Sequence, residues 1–125
     1  MTENEISYQI RGAIFNVYNT LGPGLLESVY QAALEIELLD SGLIVEKEVP
    51  VTIFYKEKKL DVGFRIDLLI EKKVIIELKS VVTLMPVHHK QVLTYLKATN
   101  LKLGILVNFN EDKIADGIFR KVNKL

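Results

Sequence analysis

The segment Phe64-Arg-Ile-Asp-Leu-Leu-Ile-Glu-Lys-Lys-Val-Ile-Ile-Glu-Leu-Lys-Ser80 constrains the fold of this chain more than any other stretch. Val62, Phe64, Ile66, Leu68 and Ile70 alternate with Gly63, Arg65, Asp67 and Leu69, the period of a strand, and Val74 to Lys79 reads as the next strand. With Glu71-Lys72-Lys73 as the loop, Ile70 pairs with Val74. Counting back along both strands then sets Asp67 directly opposite Glu77, on one face, with Cβ atoms about 5 Å apart. Lys79 shares that face. Two like charges so close repel, and a sheet keeps them together only with a cation or a proton between them. A divalent metal is the natural candidate.

The rest of the chain narrows which metal and which partners are possible. At 125 residues there is enough sequence for one domain with a real core. There is no cysteine, so a disulfide framework and thiolate metal sites are both excluded, and oxygen or imidazole must hold any ion. That favours magnesium or manganese. Sixteen basic residues balance sixteen acidic ones, so the molecule lacks the overall positive field of a tight nucleic-acid binder, and any such binding must be local. Lysines gather at Lys56, Lys58 and Lys59, at Lys72 and Lys73, and near Arg120, Lys121 and Lys124. These runs are a basic rim if the fold brings them together, or solvated turn tips if it does not. No apolar run approaches the length of a membrane span, and the acidic start Met1-Thr-Glu-Asn-Glu5 does not resemble a secretory signal, so a cytoplasmic protein is expected.

Thr2 to Glu5 fits a capping box, and Ile6, Ile10, Ala13, Ile14, Val17 and Leu21 follow at helical spacing, which predicts a helix to about Thr20. Leu21-Gly-Pro-Gly24 interrupts it. A second helix runs to about Ser41, where Gly42 and then Leu43 give a glycine stop with its apolar contact. Val45 to Tyr55 is β-branched and aromatic, a strand in which Pro50 marks an edge or a bulge. Pro86 suits the first turn of a third helix, filled by Val87 to Thr99, and Leu103 to Phe109 is an almost wholly apolar buried strand. Asn110 to Gly117 reads as a turn, and Ile118 to Val122 as a final strand or a ragged helix. This order predicts an α/β sandwich with a mixed central sheet flanked by helices, its last core strand returning through a helical crossover.

Hydrolysis of a phosphodiester needs a nucleophilic water, neutralised phosphate oxygens and help for the leaving oxygen, all of which divalent cations supply. Asp67 and Glu77 with a backbone carbonyl, that of Leu78, would cradle magnesium, and Lys79 would stabilise the transition state as a fixed positive charge. The plainer alternative is a surface salt-bridge ladder of Glu77 with Lys79, or Arg65 with Asp67.

The arrangement resembles the PD-(D/E)XK nuclease superfamily, whose signature is an aspartate on one strand and Glu-x-Lys on the next within an αβββαβ, restriction-endonuclease-like core. Ile66 stands where that signature has proline. Gly24-Leu-Leu-Glu27-Ser-Val-Tyr30 is similar to the motif that names the GxxExxY protein family within this superfamily. Ile76-Glu-Leu-Lys79, Pro86-Val-His88, Gln91 with Tyr95-Leu-Lys-Ala-Thr99, and Leu103-Gly-Ile-Leu-Val-Asn-Phe109 read likewise. The resemblance implies a nuclease fold, a metal site and a DNA or RNA partner.

Glu27 allows two readings. With Gly24 as N-cap it falls at the third helical position and reaches back to the cap; alternatively it projects over the sheet as a further metal or water ligand. Tyr30, one turn on, is either core or a substrate contact. His88, Gln91 and Tyr95 form one stripe of the third helix, similar to the Gln-x-x-x-Tyr element of RecB-type exonucleases, which orients the site and the nucleic acid; a half-buried amphipathic face is the alternative. His89 points elsewhere, to solvent. Tyr18 stands where the family commonly carries histidine. The leading expectation is thus a magnesium- or manganese-dependent phosphodiesterase acting on DNA or RNA, and a homodimer is compatible with so small a nuclease. A non-catalytic nucleic-acid- or protein-binding module on the same scaffold is the alternative.

Overall fold

The computed structural model describes residues 1–125 apart from the side chains of Asp61 and Val62, so the place of Val62 in the expected alternation lies outside the described residues. Along the chain come α1 (Glu3–Leu21), α2 (Glu27–Asp40), β1 (Val45–Tyr55), β2 (Lys58–Ile70), β3 (Val74–Lys79), α3 (Pro86–Thr99), β4 (Leu103–Asn108), a 3₁₀ turn (Ile114–Gly117) and β5 (Ile118–Val122).

Local signals account for the helix ends. The Glu5 amide donates to Thr2 Oγ1 (3.2 Å) and the Thr2 amide to Glu5 Oε1 (2.9 Å), the reciprocal cap that starts α1. Ile6, Ile10, Ala13, Ile14 and Val17 are buried, whereas Leu21 at the helix end is partly exposed. Gly42 closes α2 with φ +82°, a conformation open to glycine, and the Leu43 amide then reaches back to the Leu38 carbonyl (3.2 Å).

The strands form one five-stranded sheet in the order β1-β2-β3-β4-β5. All neighbours are antiparallel except β3 and β4, which run parallel and are therefore joined by a crossover, α3. Ile118 to Val122, left open between strand and helix by the sequence, is an edge strand on β4. Pro50 lies on the other edge strand, next to a register shift between Val51 and Ile53.

Helices α1 and α2 cover one face of the sheet, packing Ile6, Ile10, Ile14, Tyr30, Leu34 and Leu38 on Leu68, Ile70, Ile76, Leu78, Ile105 and Val107. Helix α3 covers the other, with Val92, Tyr95 and Leu96 against Ile66, Leu69, Ile75 and Leu106. It approaches closely because residue 104 of β4 is glycine: a Cβ there would lie 2.6 Å from Val92 Cγ1. Ile66 and Leu68, expected on one face, pack into opposite layers. On β1 Val45 and Val49 divide in the same way, with Glu48 between them at φ +52°. Both strands thus change faces together at the level of Asp67.

Candidate functional site

The hairpin pairs as its loop dictates, with Ile70 on Val74, Leu69 on Ile75 and Leu68 on Ile76, and the backbone ladder ends there. Glu71 and Lys72 both have positive φ (53° and 56°), the pair of left-handed residues that a tight hairpin turn needs. Asp67 and Glu77 come next in this register, but side chains replace the ladder. The Asp67 amide donates to Glu77 Oε1 (3.0 Å) and the Leu78 amide donates to Asp67 Oδ2 (2.8 Å). The two carboxylates therefore meet in the opening of a fork between β2 and β3, rather than standing side by side on one face as the strand period predicts. The Phe109 amide donates to the Lys79 carbonyl (2.9 Å), so alternate residues of β3 aim their backbone groups at β4 and the others at β2. Leu78 belongs to the second set, and its carbonyl points into the fork along with its amide.

Glu77 is only 4 % exposed. Burial lifts its carboxyl to about 8, and the charge of Asp67 pushes the same way. Asp67 is also raised, first by burial and further by Glu27, against the pull of the Leu78 amide and Lys79. This is no exposed ladder. The one ion pair among the described residues joins Lys47 to Glu35 (3.9 Å), so neither Glu77 with Lys79 nor Arg65 with Asp67 makes one.

The turn before α2 brings Glu27 to the end of β3. Leu26, not Gly24, is the N-cap, and Glu27 is the first helical residue, so the back-reaching cap allowed by the sequence does not form. Its Oε2 instead accepts from the Ser80 amide (3.4 Å), and Ser80 Oγ donates to the Leu25 carbonyl (2.6 Å). Tyr30 holds this turn from below. Its ring is wholly buried and stacks on Phe109 at 4.4 Å. Its hydroxyl donates to the Gly22 carbonyl (2.5 Å) and accepts from the Leu25 amide (3.1 Å). That geometry corrects the expected substrate contact: the phenol is enclosed by its own loop, bonded to the turn that leads into Glu27. Sequence reasoning overlooked Asn108, whose signal is a polar residue ending an apolar buried strand. Fully buried, it accepts from the Val81 amide (3.0 Å) and donates to the Val81 carbonyl (2.9 Å), fixing the chain just after Lys79.

Helix α3 presents Gln91 and Tyr95 with His88 to a cleft of about 470 Å³ that Lys79 also lines. Tyr95 is buried at the back, its phenol pushed up to about 12 by burial and then by the charges of Glu77 and Asp67. His88 Nδ1 accepts from the Met85 amide (3.0 Å), which leaves Nε2 to carry the proton. His89 keeps part of its surface in solvent, while its ring packs edge-on to Phe119 at 4.9 Å and burial lowers its pKa. The Tyr18 hydroxyl donates to the carbonyls of Glu111 and Asp112.

Asp67, Glu77 and the Leu78 carbonyl are an all-oxygen donor set, and the pair is held deprotonated only at a cost that a cation removes, so the fork suits a hard divalent ion. Among the described residues no three carboxylate or imidazole groups gather around one point, which leaves Glu27 outside the inner pair.

A sequence model of the PD-(D/E)XK nuclease superfamily matches residues 4–121. The chain belongs to that superfamily. The match spans the fork, the Glu27 turn and α3, and the mixed sheet between helices is the superfamily's restriction-endonuclease-like fold. No curated protein and no solved structure matches the chain. Among the described residues no helix is long and apolar enough to cross a membrane.

Proposed function

We propose that this PD-(D/E)XK protein hydrolyses phosphodiester bonds of DNA or RNA with magnesium or manganese. The observation that carries the reading is the pair of buried carboxylates exchanging amide hydrogen bonds across the fork, with the Lys79 charge acting on both of them. Asp67 and Glu77 would hold the ion, with the Leu78 carbonyl as a third oxygen. Such an ion neutralises phosphate charge and makes water a better nucleophile at neutral pH.

The protein's own groups do the rest. Lys79 places a positive charge where the phosphate gains negative charge in the transition state. Glu27, tethered to the Ser80 amide, accepts a proton from an attacking water or holds that water in place. Gln91 and the Nε2 of His88 offer donors to phosphate oxygens along the cleft, and Tyr95 backs them. A homodimer would carry two such sites in one assembly.

The test is to incubate the protein with manganese and single-stranded, double-stranded, branched and RNA substrates. The wild type should cut at least one, and Asp67→Ala and Lys79→Ala should abolish cutting with circular dichroism unchanged. Cutting that survives Asp67→Ala would overturn the reading. One observation favours a binding module on the same scaffold instead: Tyr18 stands where the resemblance calls for an imidazole, and its hydroxyl is engaged by the loop carbonyls of Glu111 and Asp112. That alternative predicts unchanged nucleic-acid or protein affinity in both variants and no cutting by any of them.

A further inference from the structure

Phe64 belongs neither to the core nor to the chemistry of the fork. The change of faces at Asp67 turns it toward α3, where its ring centroid lies 5.7 Å from that of Tyr95 at 56°. It is 41 % exposed, while Val51, its partner on β1, is 4 % exposed. The ring lines the cleft that also holds Lys79, Lys90 and Gln91, and no acidic side chain is among the described residues of that lining. Asp67 lies three positions along the same strand, about 10 Å away. An aromatic wall, lysines in the same lining and the acidic pair three residues along the strand make a site for a base with its phosphates.

We propose that Phe64 is a stacking platform for an unpaired base, so that the cleft takes single-stranded nucleic acid or a frayed end in preference to an intact duplex. Bases inside a duplex already have both π faces covered by their neighbours, and a ring set within a cleft can be reached only by a base that has left its stack. Lys79 and Lys90 supply the charge complementary to the flanking phosphates. The inference deepens the nuclease reading, from which it takes nucleic acid as the ligand.

The chain has no tryptophan, so Phe64→Trp introduces its only indole at the proposed platform. With metal chelated, oligothymidylate should quench that fluorescence saturably, and a blunt duplex of the same length should not. In anisotropy titrations Phe64→Ala should weaken binding of the single strand on the order of tenfold and change duplex binding by less than about twofold. Absence of quenching, equal quenching by both forms, or unchanged single-strand affinity in Phe64→Ala would each overturn the proposal. Quenching without cutting by the wild type would keep the platform and remove the nuclease reading; Asp67-dependent cutting without quenching would do the reverse.

Discussion

Glu77→Gln should make the metal-free protein more stable at alkaline pH, although it alters the candidate site. Burial, and then the Asp67 charge, raise the Glu77 carboxyl from its ordinary 4.5 to about 8. The folded protein therefore binds this proton more tightly than the unfolded chain does. Its contribution to stability is intact below about 4.5 and is lost as the pH rises towards 8. At about 1.4 kcal/mol for each pH unit the ceiling is roughly 5 kcal/mol. Water entry at the open end of the fork reduces the expected loss to about 1–3 kcal/mol. Glutamine keeps an oxygen for the Asp67 amide and carries no charge, so the variant escapes this loss. Urea denaturation of both proteins in a chelator, from about pH 5 to about pH 8, isolates the effect of the coupled pair, because groups that do not interact with Glu77 cancel in the difference. The stability gap should shift in favour of the variant by about 1–3 kcal/mol across that window. A gap that stays constant, or moves toward the wild type as the pH rises, would refute the assignment of a strained acid at the fork.

Two further variants probe the supports of the site. Tyr30→Phe keeps the ring stacked on Phe109 and removes the hydroxyl shared by Gly22 and Leu25. It should cost about 1–3 kcal/mol in denaturation, and no loss would mean that the hydroxyl does not hold the Glu27 turn. Gly104→Ala drives a methyl to within 2.6 Å of Val92 Cγ1 and should cost about 1–3 kcal/mol, part of which Val92→Ala in the same chain recovers. If the two losses simply add, α3 does not pack on β4 as described.

What the sequence disclosed and what it hid divide along a physical line. The Ile70–Val74 pairing and the meeting of Asp67 with Glu77 were legible because a short loop fixes register, and register is counted in residues. The capping box of α1, the glycine stop after α2 and Pro86 at the start of α3 were legible because each is a contact among near neighbours. The change of faces at Asp67 was not: Ile66 and Leu68 keep the strand period in sequence, and the flip goes together with one at Glu48 of a neighbouring strand. Glu27 was left with two readings because its helix begins at a residue with no side-chain cap, and the turn before it is fixed by the Tyr30 hydroxyl and, from a distant strand end, by Ser80. His89 was assigned to solvent because Phe119, its packing partner, is thirty positions away. The candidate site was thus visible as a set of residues, while its shape as a fork, and the part that Asn108 has in it, came only from tertiary contacts.

The central claim, that Asp67 and Glu77 together hold a hard divalent ion, is tested most directly by thermal melting with and without millimolar magnesium or manganese. An ion that binds only the folded protein stabilises it by about 1.4 kcal/mol at roughly tenfold its dissociation constant. That is a rise of several degrees for a domain of this size, of the order of 4 °C per kcal/mol. The wild type should show that rise and Asp67→Ala should not. An equal rise in both proteins, or none in the wild type, would contradict the claim.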